Sequence, residues 1–132
     1  MSASSIENAI RAALAPHSGI RLAILFGSLA AGRGRPESDV DLAIDAGKPM
    51  EFEEKMSLIG RLAESTGRPI DLIDLRTVGE PLLGQILTHG KRLAGKDAVY
   101  AEHIKRHLFE EADFMPYYRR ILSERRSAWM AK

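Results

Sequence analysis

The chain has 132 residues, 45% of them hydrophobic and 28% charged, with a formal net charge of +1. That length suits one domain with a real core, the composition is that of a globular protein rather than a disordered or fibrous one, and the near-neutral balance supplies no global field for nucleic acid or membranes. Cysteine is absent, which excludes disulfides, thiolate metal sites and a cysteine nucleophile; without a signal-like start or a long apolar run, a soluble cytoplasmic protein is expected.

Ser4 or Ser5 can cap a first helix running to about Ala15, with Ile6, Ala9, Ile10, Ala13 and Leu14 on its apolar face. Pro16, Ser18 and Gly19 end it. The apolar run Ile20–Phe26 reads as a buried strand. Gly27-Ser28 breaks that strand, Leu29-Ala30-Ala31 suits the first turn of a short helix, and Gly32 to Pro36 is loop. Asp39–Asp45 is a second strand. A helix over about Met50–Thr66 follows, with Phe52, Met56, Ile59, Leu62 and Ala63 as its stripe, and Gly67 with Arg68-Pro69 stops it.

Pro69–Leu75 is a third strand. Pro81 opens a helix with Leu82, Leu83, Ile86 and Leu87 inward, closed by Gly90, and Lys91–Gly95 suits a short edge strand. From Asp97 helical spacing holds nearly to the end through Ala101, Ile104, Leu108, Met115, Tyr118, Leu122 and Trp129, with a kink or split expected at Pro116. The sum is an α/β (α+β) domain: a small mixed sheet flanked by helices, here divided into residues 1–96 and a C-terminal helical arm, 97–132.

Chemistry gathers between the first two strands. Asp39 and Asp41 share one face of a strand because side chains alternate with period two. Two such carboxylates repel unless a cation lies between them, and hard oxygen ligands favour Mg²⁺ or Mn²⁺. Gly27 after a buried strand lets backbone approach a ligand closely, and the amides and hydroxyl at Ser28 suit a phosphate. No Walker A loop or Rossmann fingerprint is present. A third carboxylate, Asp71 or Asp74, stands on the next strand, as two-metal phosphoryl transfer requires.

Gly27-Ser28, ten residues (29 to 38), then Asp39-Val40-Asp41 resembles the signature of the polymerase-beta-type nucleotidyltransferases. The context Phe26–Gly32, Glu37–Leu42 and Pro69–Ile73 is similar to their minimal (MNT) branch over nearly the whole chain. That resemblance implies the polymerase-beta-type nucleotidyltransferase fold with ATP as substrate and two Mg²⁺ ions (or Mn²⁺). Asp39, Asp41 and Asp71 would be the catalytic metal ligands, Asp71 being chosen because Ile70-Asp71-Leu72-Ile73 matches the family's apolar-Asp-apolar-apolar motif. Gly27 and Ser28 would hold the β- and γ-phosphates. The family usually reads Ala-Arg-Gly where this chain has Ala30-Ala31-Gly32, so Arg33 or Arg35 is expected to take over the phosphate contact.

Toxin–antitoxin members of the branch pair with a HEPN-family RNase toxin, which implies an antitoxin enzyme moving AMP onto a toxin hydroxyl, a tyrosine foremost, within a hetero-oligomer. Alternatives left open are a non-catalytic antitoxin acting by binding alone, and a nucleotidyltransferase acting on a small molecule or an RNA end. Phe109, Phe114, Tyr117, Tyr118 and Trp129, interleaved with Arg119, Arg120, Arg125 and Arg126, read as a protein-partner surface rather than an RNA one. His103 and His107 have a chelating four-residue spacing, but no third ligand accompanies them, and they are expected to be exposed helix histidines.

Overall fold

The computed structural model describes residues 3–35 and 37–130, the side chains of residues 3, 113–119 and 121–130 excepted. Its elements are α1 (Ala3–Leu14), β1 (Leu22–Phe26), α2 (Gly27–Ala30), β2 (Val40–Asp45), α3 (Phe52–Thr66), β3 (Ile70–Asp74), α4 (Leu82–His89), β4 (Lys91–Gly95) and α5 (Asp97–Met130). The four strands form one mixed sheet in the order β3-β2-β1-β4. β1 pairs antiparallel with β2 and β4, and β2 pairs parallel with β3 through the crossover helix α3. Lys91–Gly95 is thus the edge strand its pattern suggested.

Strand alternation divides the core between the two faces of the sheet. Ala23, Leu25, Val40, Leu42, Ile44 and Leu72 point to one side, where Ile6, Ile10 and Leu14 of α1 and Leu58 and Leu62 of α3 cover them. Leu22, Ile24 and Ala43 point to the other, under Leu83, Ile86 and Leu87 of α4 and Val99 of α5. Helices therefore flank a small mixed sheet on both sides, as expected.

Three expectations need correction. The buried face of α3 is Leu58, Leu62 and Thr66, while Phe52 is 76% and Met56 48% exposed. Leu62 and Ile59 of the expected stripe do pack against the core, but the helix is turned toward Leu58, one residue before Ile59, so that Phe52 and Met56 swing outward. The last helix is one element from Asp97 to Met130, so Pro116 does not split it. Along α5 the inward residues are Val99, Tyr100, His103 and Ile104, whereas Leu108 is exposed. Smaller shifts occur at α1, which opens ahead of Ser4 and Ser5, and at β1, which starts at Leu22. The remaining aromatic residues and most arginines of the arm (Phe114, Tyr117, Tyr118, Trp129, Arg119, Arg125, Arg126), with Met115 and Leu122, lie outside the described side chains. Of that series Phe109 is exposed with the Lys105 ammonium 5.9 Å from its ring centre, and Arg120 is exposed.

Candidate active site

β1 ends at Phe26, and the chain turns at Gly27 into the single turn of α2. Gly27 has φ +74°, and a Cβ built there would fall 2.1 Å from Asp41 Oδ2. Backbone conformation and space both demand glycine at this point. What fills the missing side chain's place is the Asp41 carboxylate, because Asp41 lies opposite Phe26 in the β1–β2 ladder. The Gly-Ser turn and the acid are thus in direct contact.

Asp41 shares its face of β2 with Ala43, and Asp71 shares its face of β3 with Ile73, so both acids stand on the α4–α5 side of the sheet. They are partners in the parallel ladder, which sets their backbones about 4.8 Å apart. Asp39 lies just before β2 and is exposed. The Asp41 carboxyl is pushed above its ordinary value of 3.8, first by burial, then by the charges of Asp71 and Asp39 and by a side-chain hydrogen bond with Asp71. Among the described residues no three acids or histidines already close on a single point with metal-ligand geometry. The donor set is nonetheless all hard carboxylate oxygen, mutually repelling and set against a glycine cradle, which fits Mg²⁺ or Mn²⁺ and no soft metal.

Asp74 takes a different place. It lies an odd number of residues from Asp71, hence on the opposite face, where its Oδ2 accepts from the Met50 N–H at 2.8 Å and its Oδ1 from the Arg76 N–H at 2.9 Å. It fixes the turn after β3 and is directed away from Asp41. Ser28 is half-buried at the start of α2, and its carbonyl accepts from the Arg33 N–H at 2.9 Å. Arg33 and Arg35 have exposed side chains in the loop between α2 and β2, and Ala31 at the end of α2 is exposed. Both arginines are thus carried on the loop that follows α2.

The far end of β2 holds a second acid that the sequence did not single out. Asp45 is fully buried. Its Oδ2 accepts from His103 Nε2–H at 2.7 Å, its Oδ1 accepts from the Gly47 N–H at 2.7 Å, and Arg76 and Arg21 stand 3.8 and 4.0 Å away. Burial alone would raise this carboxyl; the hydrogen bonds from His103 and Gly47 and the positive charges of His103 and Arg76 outweigh it and hold it below 3.8. His103 is 4% exposed, contrary to the expectation of an exposed helix histidine. His107 is half-buried and engages Glu80 through Nδ1 and Glu111 through Nε2. The two imidazoles face different carboxylates and tie α5 to the domain, so their spacing serves packing.

Comparison with known proteins decides the family. The sequence profile described as "Polymerase beta, Nucleotidyltransferase" matches residues 8–99. The chain belongs to the polymerase beta nucleotidyltransferase family. Among curated relatives, the protein adenylyltransferase MntA of Shewanella oneidensis is 34% identical over 76 residues, 58% of this chain and 55% of the relative. The matched stretch thus spans about half the length of that curated relative. Among solved structures, a toxin–antitoxin with AMP-PNP superposes with a TM-score of 0.79 at 26% identity, covering 89% of this chain and 96% of that one. A tri-AMPylated S. oneidensis HEPN toxin in complex with an MNT antitoxin gives 0.70 at 25% identity, over 92% and 99%. No helix among the described residues is long and apolar enough to cross a membrane.

Proposed function

We propose that this chain is an antitoxin nucleotidyltransferase that moves AMP from ATP to a hydroxyl, foremost a tyrosine, of a HEPN-type partner protein and so silences it. The observation that carries this reading is the ladder pairing of Asp41 with Asp71 against the Gly27 turn. Acids drawn together without a compensating cation cost stability, a cost that persists where function requires it. The likeness to an adenylyltransferase and to toxin-bound antitoxins supports a HEPN-type protein as acceptor. On this reading residues 1–96 carry the chemistry, and the arm 97–132 packs on that domain and meets the partner within a hetero-oligomer.

Asp39, Asp41 and Asp71 would hold Mg²⁺, which when bound supplies the positive charge that offsets the triphosphate and polarises the α-phosphorus. The Gly27 backbone and the Ser28 hydroxyl hold the β- and γ-phosphates, with Arg33 and Arg35 carried alongside on the loop. Asp71, paired with Asp41 in the parallel ladder, takes the proton of the incoming hydroxyl. The oxygen–phosphorus bond forms at the α-phosphate, the α–β bridge bond breaks, and pyrophosphate leaves with its electron pair. Incubation with Mg²⁺, α-labelled ATP and a HEPN-type partner protein tests the reading. Label appears in the partner with the wild type and fails to appear with the Asp39→Asn/Asp41→Asn double variant; equal labelling by both refutes it.

A further inference from the structure

Arg68 lies outside the acidic site, between the Gly67 turn that ends α3 and the start of β3, and is half-buried. Its Nη1 donates to two backbone carbonyls of the α2–β2 loop, Arg35 O at 2.7 Å and Ser38 O at 3.1 Å. The same short segment closes on itself: the Ser38 N–H donates to Arg35 O at 3.0 Å and the Arg35 N–H to Ser38 Oγ at 2.7 Å. One residue past Asp39, the Val40 N–H donates to Pro69 O at 2.9 Å. Asp39 is therefore bracketed, on one side through the Arg68 side chain and on the other through the next residue's carbonyl.

The other end of the loop rests on α2. The Arg33 N–H donates to Ser28 O, and Gly34 approaches Leu29 so closely that a Cβ there would lie 2.2 Å from Leu29 Cδ2. The loop is thus tied to the phosphate turn at its start and to one guanidinium at its end. Arginine suits that task because its planar fork donates charge-assisted bonds in fixed directions.

We propose that Arg68 is a positioning residue for nucleotidyl transfer: it sets the backbone carbonyls of Arg35 and Ser38 so that Asp39 joins Asp41 and Asp71, and Arg33 and Arg35 stay on the loop that follows α2. Its catalytic consequence rests on the function proposed above; its effect on loop and metal does not. In amide exchange on the full chain without metal or nucleotide, Arg68→Ala speeds exchange at Ser38 by about tenfold or more while Ile24 and Leu25 in β1 stay at wild-type rates. Titration with Mn²⁺ alone then shows affinity lowered by about tenfold, the size of loss typical when support of a metal ligand is removed. Arg68→Lys, which keeps a cationic donor, recovers a large part of it. In the transfer assay the Mg²⁺ concentration for half-maximal rate rises in the same proportion, while KM for the acceptor protein does not move.

Unchanged Ser38 exchange and Mn²⁺ affinity in Arg68→Ala would overturn the proposal, as would faster exchange spread evenly over β1 and the loop, the mark of general loosening. If the wild type transfers no AMP yet the exchange and Mn²⁺ shifts occur, the functional reading falls and the positioning role stands. If transfer proceeds and Arg68→Ala behaves as wild type, the reverse holds.

Discussion

Asp41 and Asp45 occupy one row on one face of β2, at its two ends, and their surroundings differ in sign. Asp45 is fully buried but receives two hydrogen bonds at 2.7 Å and faces two guanidinium groups, so its carboxyl is held low. Asp41 is less buried and has further acids for company, so its carboxyl is held high. A compensated carboxylate holds the fold together, here pinning α5 to the sheet through His103. Uncompensated carboxylates weaken the fold and are worth retaining only for what they bind.

The largest expected effect breaks the uncompensated end. Asp41→Asn lowers AMP transfer by about 100-fold or more, beyond the loss typical of a mere supporting group. The same substitution relieves repulsion from Asp71 and Asp39, so without metal its Tm lies a few degrees above that of the wild type. Lower activity with lower stability would place Asp41 among the structural acids instead.

Breaking the compensated end inverts the effect on stability and spares transfer. Asp45→Ala leaves His103 buried without its acceptor and costs about 3 kcal/mol, as expected when one partner of a buried pair is removed. Urea unfolding measures it, and transfer measured well below the midpoint stays within a few-fold of wild type. Gly27→Ala tests the contact between turn and acid. A Cβ at positive φ costs about 1–2 kcal/mol, and it displaces the Asp41 carboxylate, so stability and transfer fall together. Asp71 and Asp74 sharpen the comparison further: Asp71→Asn lowers transfer without lowering stability, since it relieves the same repulsion, whereas Asp74→Asn retains transfer and shifts the urea midpoint downward through its two backbone bonds.

The smallest effect is in acid. Asp45 titrates lower in the folded chain than its unfolded value of 3.8, so its ionisation contributes stability that is present above about pH 4 and lost as pH falls through the lower folded value. Asp45→Asn should flatten that part of the stability curve; an unchanged acid limb would show that the low value is not supported by the fold.

Much of this was legible beforehand because it rests on local pattern. The four strands and the helix faces of α1 and α4 follow from apolar periodicity, and the spacing of Gly27-Ser28 to Asp39 and Asp41 brought the turn and the acids together. The choice between Asp71 and Asp74 came from a family motif, yet parity alone separates them once Leu72 is known to face the core. Apolar spacing alone does not fix the buried face of α3, because Leu62 belongs both to the Phe52–Met56–Ile59 stripe and to the Leu58–Thr66 one, and only the sheet decides which is buried. His103 and Arg68 were missed for a different reason. Their partners lie 58 and 30–33 residues away in sequence, and no local pattern marks a side chain whose role is fixed by tertiary contact.

The most direct test of the central claim follows α-labelled ATP into the HEPN-type partner, with Mg²⁺, using wild-type chain beside Asp41→Asn at matched folded concentration. The acids of the β2–β3 ladder, if they are the transfer site, give a labelled partner and released pyrophosphate with wild type and neither with the variant. A labelled partner in both reactions, or in neither, would contradict the assignment of this acidic row to nucleotidyl transfer.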